Sequence, residues 1–169
     1  MLLFEDEIIL DYSVNDVFSI FVRTAKRDFP KFNEKNPIGT KTEKKTGSRS
    51  FRKTVLSVEI TDYEKNKVYE ITSISQPEVY VSRYEFGDLG NNRTKLTLKE
   101  SDDSTGFFSV INKFLMKFVF RFLIKRKFDS FISALKDEVQ ALVERRDGSH
   151  RRRIETQEEH AESENSPEE

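Results

Sequence analysis

Residues 67–101, KVYEITSISQPEVYVSRYEFGDLGNNRTKLTLKES, decide the fold. They contain three runs with the period-2 alternation of half-buried strands, near 67–74, 78–87 and 93–101. Tyr80, Tyr84 and Phe86 share one parity, as do Leu96 and Leu98, while Lys95, Thr97 and Lys99 take the other. Gln76-Pro77 and the stretch from Gly87 to Asn92 separate the runs with turn-forming residues. Connectors this short join antiparallel neighbours, because parallel strands need a crossover of a dozen or more residues.

Working back toward the N-terminus, two further strands fall near 50–61 and 40–45. Leu56, Val58 and Ile60 form one face of the first. Glu64-Lys65-Asn66 and Thr46-Gly47 supply the turns. Residues 2–11 predict an opening strand, with Leu2, Phe4, Ile8 and Leu10 on one face and Asp6 interrupting it. Ser13 then reads as a helix N-cap with Asp16 three residues on, followed by Val14, Val17, Phe18 and Phe21 at helical spacing. A second short helical piece is expected to end near Pro30.

Toward the C-terminus, residues 107–146 read as helix. In 128–143, Phe128, Phe131, Ile132, Leu135, Val139, Leu142 and Val143 make one apolar stripe suited to covering a sheet. The preceding part differs. Lys113, Lys117, Arg121 and Lys125 recur every four positions, beside columns that include Phe118 and Phe122, and Val119 and Leu123. At about 100° per residue these apolar columns lie opposite the later stripe, so one straight helix cannot bury both on one sheet. Either the helix breaks within 122–128, or the segment 107–127 turns its phenylalanines toward an anionic membrane surface or a second copy of the chain. Three basic residues in the run argue against a transmembrane span.

Composition narrows the function classes. Charged residues reach 35% and hydrophobic residues only 36%, which fits one folded domain with a polar appendage. Residues 147–169 supply it: Arg151, Arg152 and Arg153 stand against Asp147 and seven glutamates, and a disordered charged tail is expected there. The domain is therefore assigned to 1–146. Cysteine is absent and the only histidines, His150 and His160, fall in the tail, so no thiolate, zinc or histidine-based centre is expected, and no cofactor. The acidic start, Glu5-Asp6-Glu7, argues against a signal peptide and for a cytoplasmic protein, peripheral to the membrane if 107–127 is a surface-binding segment. No recognition-helix or base-stacking motif accompanies the basic residues, so nucleic acid is not expected as a partner.

This order of elements, with Ser13-Val14-Asn15-Asp16-Val17-Phe18, the turn Ile60-Thr61-Asp62-Tyr63-Glu64-Lys65-Asn66-Lys67, Tyr84-Glu85-Phe86 and the basic, Phe-rich run from Phe114 to Phe128, resembles the START-like or SRPBCC superfamily, which includes the major birch-pollen allergen. The similarity covers about residues 1–146 and points to an uncharacterised bacterial branch. It implies an α+β helix-grip fold: a curved six-stranded antiparallel sheet wrapping a long C-terminal helix, with two short helices after strand 1. It also implies a cavity that binds a hydrophobic or lipid-like small molecule; some members are enzymes, but none of their catalytic motifs is present here, so a non-enzymatic binding module is expected. The residues expected to line that cavity are Leu56, Val58, Ile71, Tyr80, Tyr84, Leu96 and Leu98, closed by Phe128 and Ile132. The alternative site is the membrane-or-partner face of Lys113, Lys117, Phe118, Val119, Arg121, Phe122, Leu123 and Lys125. Asp6, read as the one acid on an apolar parity, is either a solvated strand end or a pocket carboxylate.

Overall fold

The computed structural model describes residues 1–46, 54–75, 78–103 and 124–149. Strand β1 (Leu2–Leu10) leads into helix α1 (Val14–Asp28). Strands β2 (Lys41–Thr46), β3 (Thr54–Glu64), β4 (Val68–Ser75), β5 (Glu78–Gly90) and β6 (Arg93–Asp102) follow, and a helix over 124–149, α2, comes last among the described residues. The six strands form one antiparallel sheet in the order β1-β6-β5-β4-β3-β2. The meander brings β6 back against β1, so the two ends of the strand sequence are neighbours in space.

Local chemistry explains these boundaries. Ser13 caps α1: its Oγ accepts from the Asp16 N–H at 3.2 Å and donates to Asp16 Oδ2 at 2.8 Å. Such a cap contributes about 1 kcal/mol. Pro30 ends the helix, because a residue before proline is driven out of the helical region, and Phe29 is extended at φ −119° and ψ 99°. The second short helix expected near Pro30 is therefore not formed. Residues 30–39 make turns instead, held by Phe32 N–H to the Phe29 carbonyl and Asn36 N–H to the Asn33 carbonyl. The expected loop from Gly87 to Asn92 also contracts. Strand β5 continues to Gly90, and the reversal needs only Asn91 and Asn92, at φ 51° and 54°. Both central residues are left-handed, which matches the twist of a hairpin and which asparagine tolerates.

The register sorts the side chains into two faces. On the outer face Arg83 donates to Asp62, Glu70 and Glu85 at 2.8, 2.9 and 3.0 Å, and Lys99 donates to Glu85 at 2.8 Å. These half-exposed pairs fix register more than they add stability. The inner face carries the core. Phe18 and Phe21 of α1 meet Phe86 edge-on, with ring centroids 5.0 and 4.9 Å apart. From α2, Phe128, Ile132, Leu135 and Val139 are buried against the same face. They recur at helical spacing, as the predicted stripe requires. Arg146 near the far end of α2 donates to Asp16 at 2.6 Å, joining the end of one helix to the start of the other.

Helix α2 is continuous over 124–128, so the part of the expected break that falls there does not occur. It also extends through 147–149, beyond the assigned domain limit. Residues 107–123 and 150–169 lie outside the described residues.

Candidate functional site

Two clefts separate α2 from the inner face of the sheet. The larger, about 370 Å³, is framed by Tyr80 and Tyr84 of β5, Leu98 and Glu100 of β6, Leu3 of β1, and Ile124, Lys127, Phe128 and Phe131 of α2. The smaller, about 150 Å³, lies toward α1, where Ile20, Phe21 and Phe29 face Val58, Tyr69 and Ile71. Tyr84 and Phe131 belong to both clefts, and their rings, 5.7 Å apart and tilted by 49°, form the wall between them.

The residues expected to line a cavity are distributed unevenly. Tyr80, Tyr84, Leu98 and Phe128 border the larger cleft, and Val58 and Ile71 the smaller. Leu96 and Ile132 are buried in the core, at 0% and 5% exposure, and Leu56 is half-buried against it. Strand alternation and the helical stripe placed these nine between the sheet and the helix, but only part of the sheet's inner side stands away from α2.

The polar groups give the larger cleft its character. Glu100 stands opposite Ser82 in the β5–β6 register, and the Ser82 hydroxyl donates to its Oε2 at 2.9 Å. Burial raises the Glu100 carboxyl above the ordinary carboxylate range, against the opposing hydrogen bond from Ser82 and the nearby charge of Lys127. The phenol of Tyr84 is likewise raised by burial first, then by Glu100 and by Tyr69. Burial, Glu78 and Asp102 raise Tyr80. Both phenols therefore stay neutral near pH 7 and serve as hydrogen-bonding groups rather than as bases.

Glu100 was missed in the sequence reading, which named Asp6 as the one acid on an apolar parity. Glu100 also shares its parity with Leu96 and Leu98, and its place at the end of the β6 run hid it. Asp6 lines neither cleft. Its Oδ2 accepts from Lys125 at 2.6 Å, and its side chain is only 31% exposed. Asp6 is thus a half-buried ion-pair partner that ties β1 to the first described turn of α2, rather than a solvated strand end. Lys125, assigned to an outward membrane-or-partner face, binds Asp6 and also Asp129, at 3.3 Å, within its own domain. Lys113, Lys117, Phe118, Val119, Arg121, Phe122 and Leu123 of that face lie outside the described residues.

The raised carboxyl has a measurable consequence. The folded chain holds the Glu100 proton to higher pH than the unfolded chain, whose value is near 4.5. Its contribution to stability is full below that value and is lost as pH rises through the higher folded value. Glu100→Gln removes the loss. Thermal melts should show a higher Tm for the variant than for the parent at about pH 8, and a much smaller difference at about pH 4. An equal difference at both would mean that Glu100 is solvated.

Among the described residues no cluster of three acidic, histidine or cysteine side chains could hold a metal. No helix among them is long and apolar enough to cross a membrane.

No curated protein matches the chain. Solved structures do, at low identity. A protein of unknown function from Staphylococcus aureus aligns with a TM-score of 0.59 and 14% identity, over 83% of this chain and 95% of its own. A START superfamily protein from Mycobacterium smegmatis aligns at 0.52 and 13%, over 82% and 97%. An aromatase/cyclase from a Streptomyces species aligns at 0.52 and 10%, over 80% and 92%. At these identities the likeness is one of fold, and the fold is the START-like helix grip. The profile of the family described as "Domain of unknown function (DUF3284)" matches residues 7–121, about two thirds of the sequence. The chain therefore belongs to the DUF3284 family, built on the START-like helix-grip fold.

Proposed function

We propose that this chain is a binding module for a hydrophobic small molecule, held between β5, β6 and α2, and that it performs no covalent chemistry on that molecule. The observation that carries this reading is the larger cleft itself. Its volume of about 370 Å³ falls within the range of small-molecule sites, roughly 300–1,000 Å³. Leu98, Phe128, Phe131 and Ile124 present apolar surface, and the two tyrosines and Glu100 add a few polar points. This combination favours an apolar body fixed in orientation by few hydrogen bonds. The fold supports the same reading, since one structural relative is a START superfamily protein.

The alternative, membrane or self-association through 107–127, rests mainly on residues outside the described set. Where the segment is described, Ile124 lines the cleft and Lys125 pairs with Asp6. Those placements favour the ligand reading.

The test uses the full chain purified without detergent and the neutral fluorescent probe N-phenyl-1-naphthylamine. The parent protein should bind the probe and enhance its emission. Ile124→Trp, at a half-buried position on the cleft rim, should fill part of the space and weaken binding by about tenfold, or about 1.4 kcal/mol, with Tm nearly unchanged. A parent that never enhances the probe, or a tryptophan variant that binds it equally well, overturns the reading. Native mass spectrometry of the same preparation would reveal any molecule carried through purification.

A further inference from the structure

The larger cleft is bordered by two groups of opposite charge, one on the sheet and one, at an exposed position, on α2. Glu100 reaches in from β6 and Lys127 from α2, and both line the space. They do not form an ion pair, although the charge of Lys127 acts on the Glu100 carboxyl. Ser82 donates to Oε2 of Glu100. A carboxylate accepts up to about four hydrogen bonds, so this one keeps room for a further donor. Lys127 has three donors and no acceptor. The cleft lining thus offers an acceptor from the sheet and a donor from α2 to a bound molecule.

We infer that the molecule held in this cleft carries an uncharged hydroxyl, an alcohol or a phenol, that donates to Glu100 and accepts from Lys127. This rests on the ligand-binding reading and gives the ligand a chemical class. A hydroxyl donates and accepts through a single oxygen, so it bridges the two walls with the least bulk. Charged heads fare worse. A carboxylate ligand would face the like charge of Glu100, and an ammonium ligand that of Lys127. A ketone accepts from Lys127 but offers Glu100 no donor. A molecule with no polar head leaves both charges facing apolar surface, which costs their partial desolvation without return. Around this polar pair, Tyr80, Tyr84, Phe128 and Phe131 provide ring surface. An aromatic or fused-ring body stacks on such surface well.

The experiment compares four bicyclic probes of one shape by equilibrium dialysis against the full chain near neutral pH: naphthalene, 2-naphthol, 2-naphthoate and 2-naphthylmethylammonium. The expected order places 2-naphthol about tenfold or more tighter than naphthalene, with both charged probes weaker than 2-naphthol. Glu100→Leu should abolish the advantage of 2-naphthol over naphthalene and leave naphthalene binding at least as tight. Lys127→Met, at an exposed position that leaves the core intact, should reduce the same advantage without affecting naphthalene. Equal binding of 2-naphthol and naphthalene by the parent overturns the head-group assignment while the cleft reading stands. So does a preference that survives in Glu100→Leu. Tightest binding of either charged probe overturns it too, and names the other charge class. Failure of all four probes to bind overturns the cleft reading as well.

Discussion

Phe21→Ala is expected to lower the unfolding free energy by about 3–5 kcal/mol, the range for a large ring removed from a packed core. Phe21 is 6% exposed. Its ring meets Tyr69, Tyr84, Phe86 and Phe131 edge-on, with centroids 5.7, 5.0, 4.9 and 5.7 Å away. Those partners come from β4, β5 and α2, while Phe21 itself sits on α1. One side chain therefore joins both helices to the middle of the sheet. Edge-to-face pairs add about 0.5–1.5 kcal/mol beyond area burial, and alanine forfeits all four together. Rigid neighbours also limit how far the space can collapse, which keeps the cost toward the upper part of the range. Urea titration followed by circular dichroism measures it: the midpoint should fall with the slope unchanged. Phe21→Leu should recover part of the loss, because it restores volume without restoring the ring contacts. A loss below about 1 kcal/mol for the alanine variant would show that α1 does not pack as described.

Val139→Asp should be comparably damaging. Val139 is fully buried at 0% exposure, in the α2 stripe with Phe128, Ile132 and Leu135. A carboxylate there must be desolvated, or protonated at a cost, or carried into water by moving the helix. Moving the helix uncovers Phe4, Leu96 and Leu98 on the inner face as well. A penalty of roughly 3–5 kcal/mol is expected for an uncompensated buried charge. Domains of this kind have only about 5–15 kcal/mol in total, so the variant should be largely unfolded at moderate temperature. The control is Gln140→Asp, one residue on and exposed, which should change stability by no more than about 0.5 kcal/mol. Far-ultraviolet circular dichroism and Tm distinguish the two directly. A Val139→Asp protein as stable as the parent would mean that α2 is not docked through this face.

Different elements were legible in the sequence to different degrees. Strand parity and turn residues are local, and both pointed to the antiparallel meander that forms. The Ser13 cap was legible for the same reason, since its partner Asp16 lies three residues away. The failures were also local conflicts. Pro30 was read as the end of a second helix, but it ends the first. Gly87 was read as the start of a loop, but its neighbours Asp88 and Gly90 pair with Thr94 and Arg93 and extend the strand. A glycine inside a strand costs stability without forbidding pairing. The long helix posed a different problem. Two apolar faces on one continuous pattern signal that something must change, yet periodicity carries no information on where.

The sequence by itself determined which side chains share a face, because alternation along a strand and recurrence along a helix follow from backbone geometry alone. That was enough for the antiparallel meander from β2 to β6 and the apolar stripe of α2, whereas the pairing of β6 with β1 is a long-range contact. Only the tertiary structure decided how far α2 stands from each part of the sheet. It is the gap at one end that turns Tyr80, Tyr84 and Leu98 into cleft walls, while close packing makes Leu96 and Ile132 ordinary core. The same placement brings Lys127 opposite Glu100 and Lys125 onto Asp6 across 119 residues of chain. Such meetings depend on where separate elements dock, and no local pattern of residues encodes the distance between a helix and a sheet.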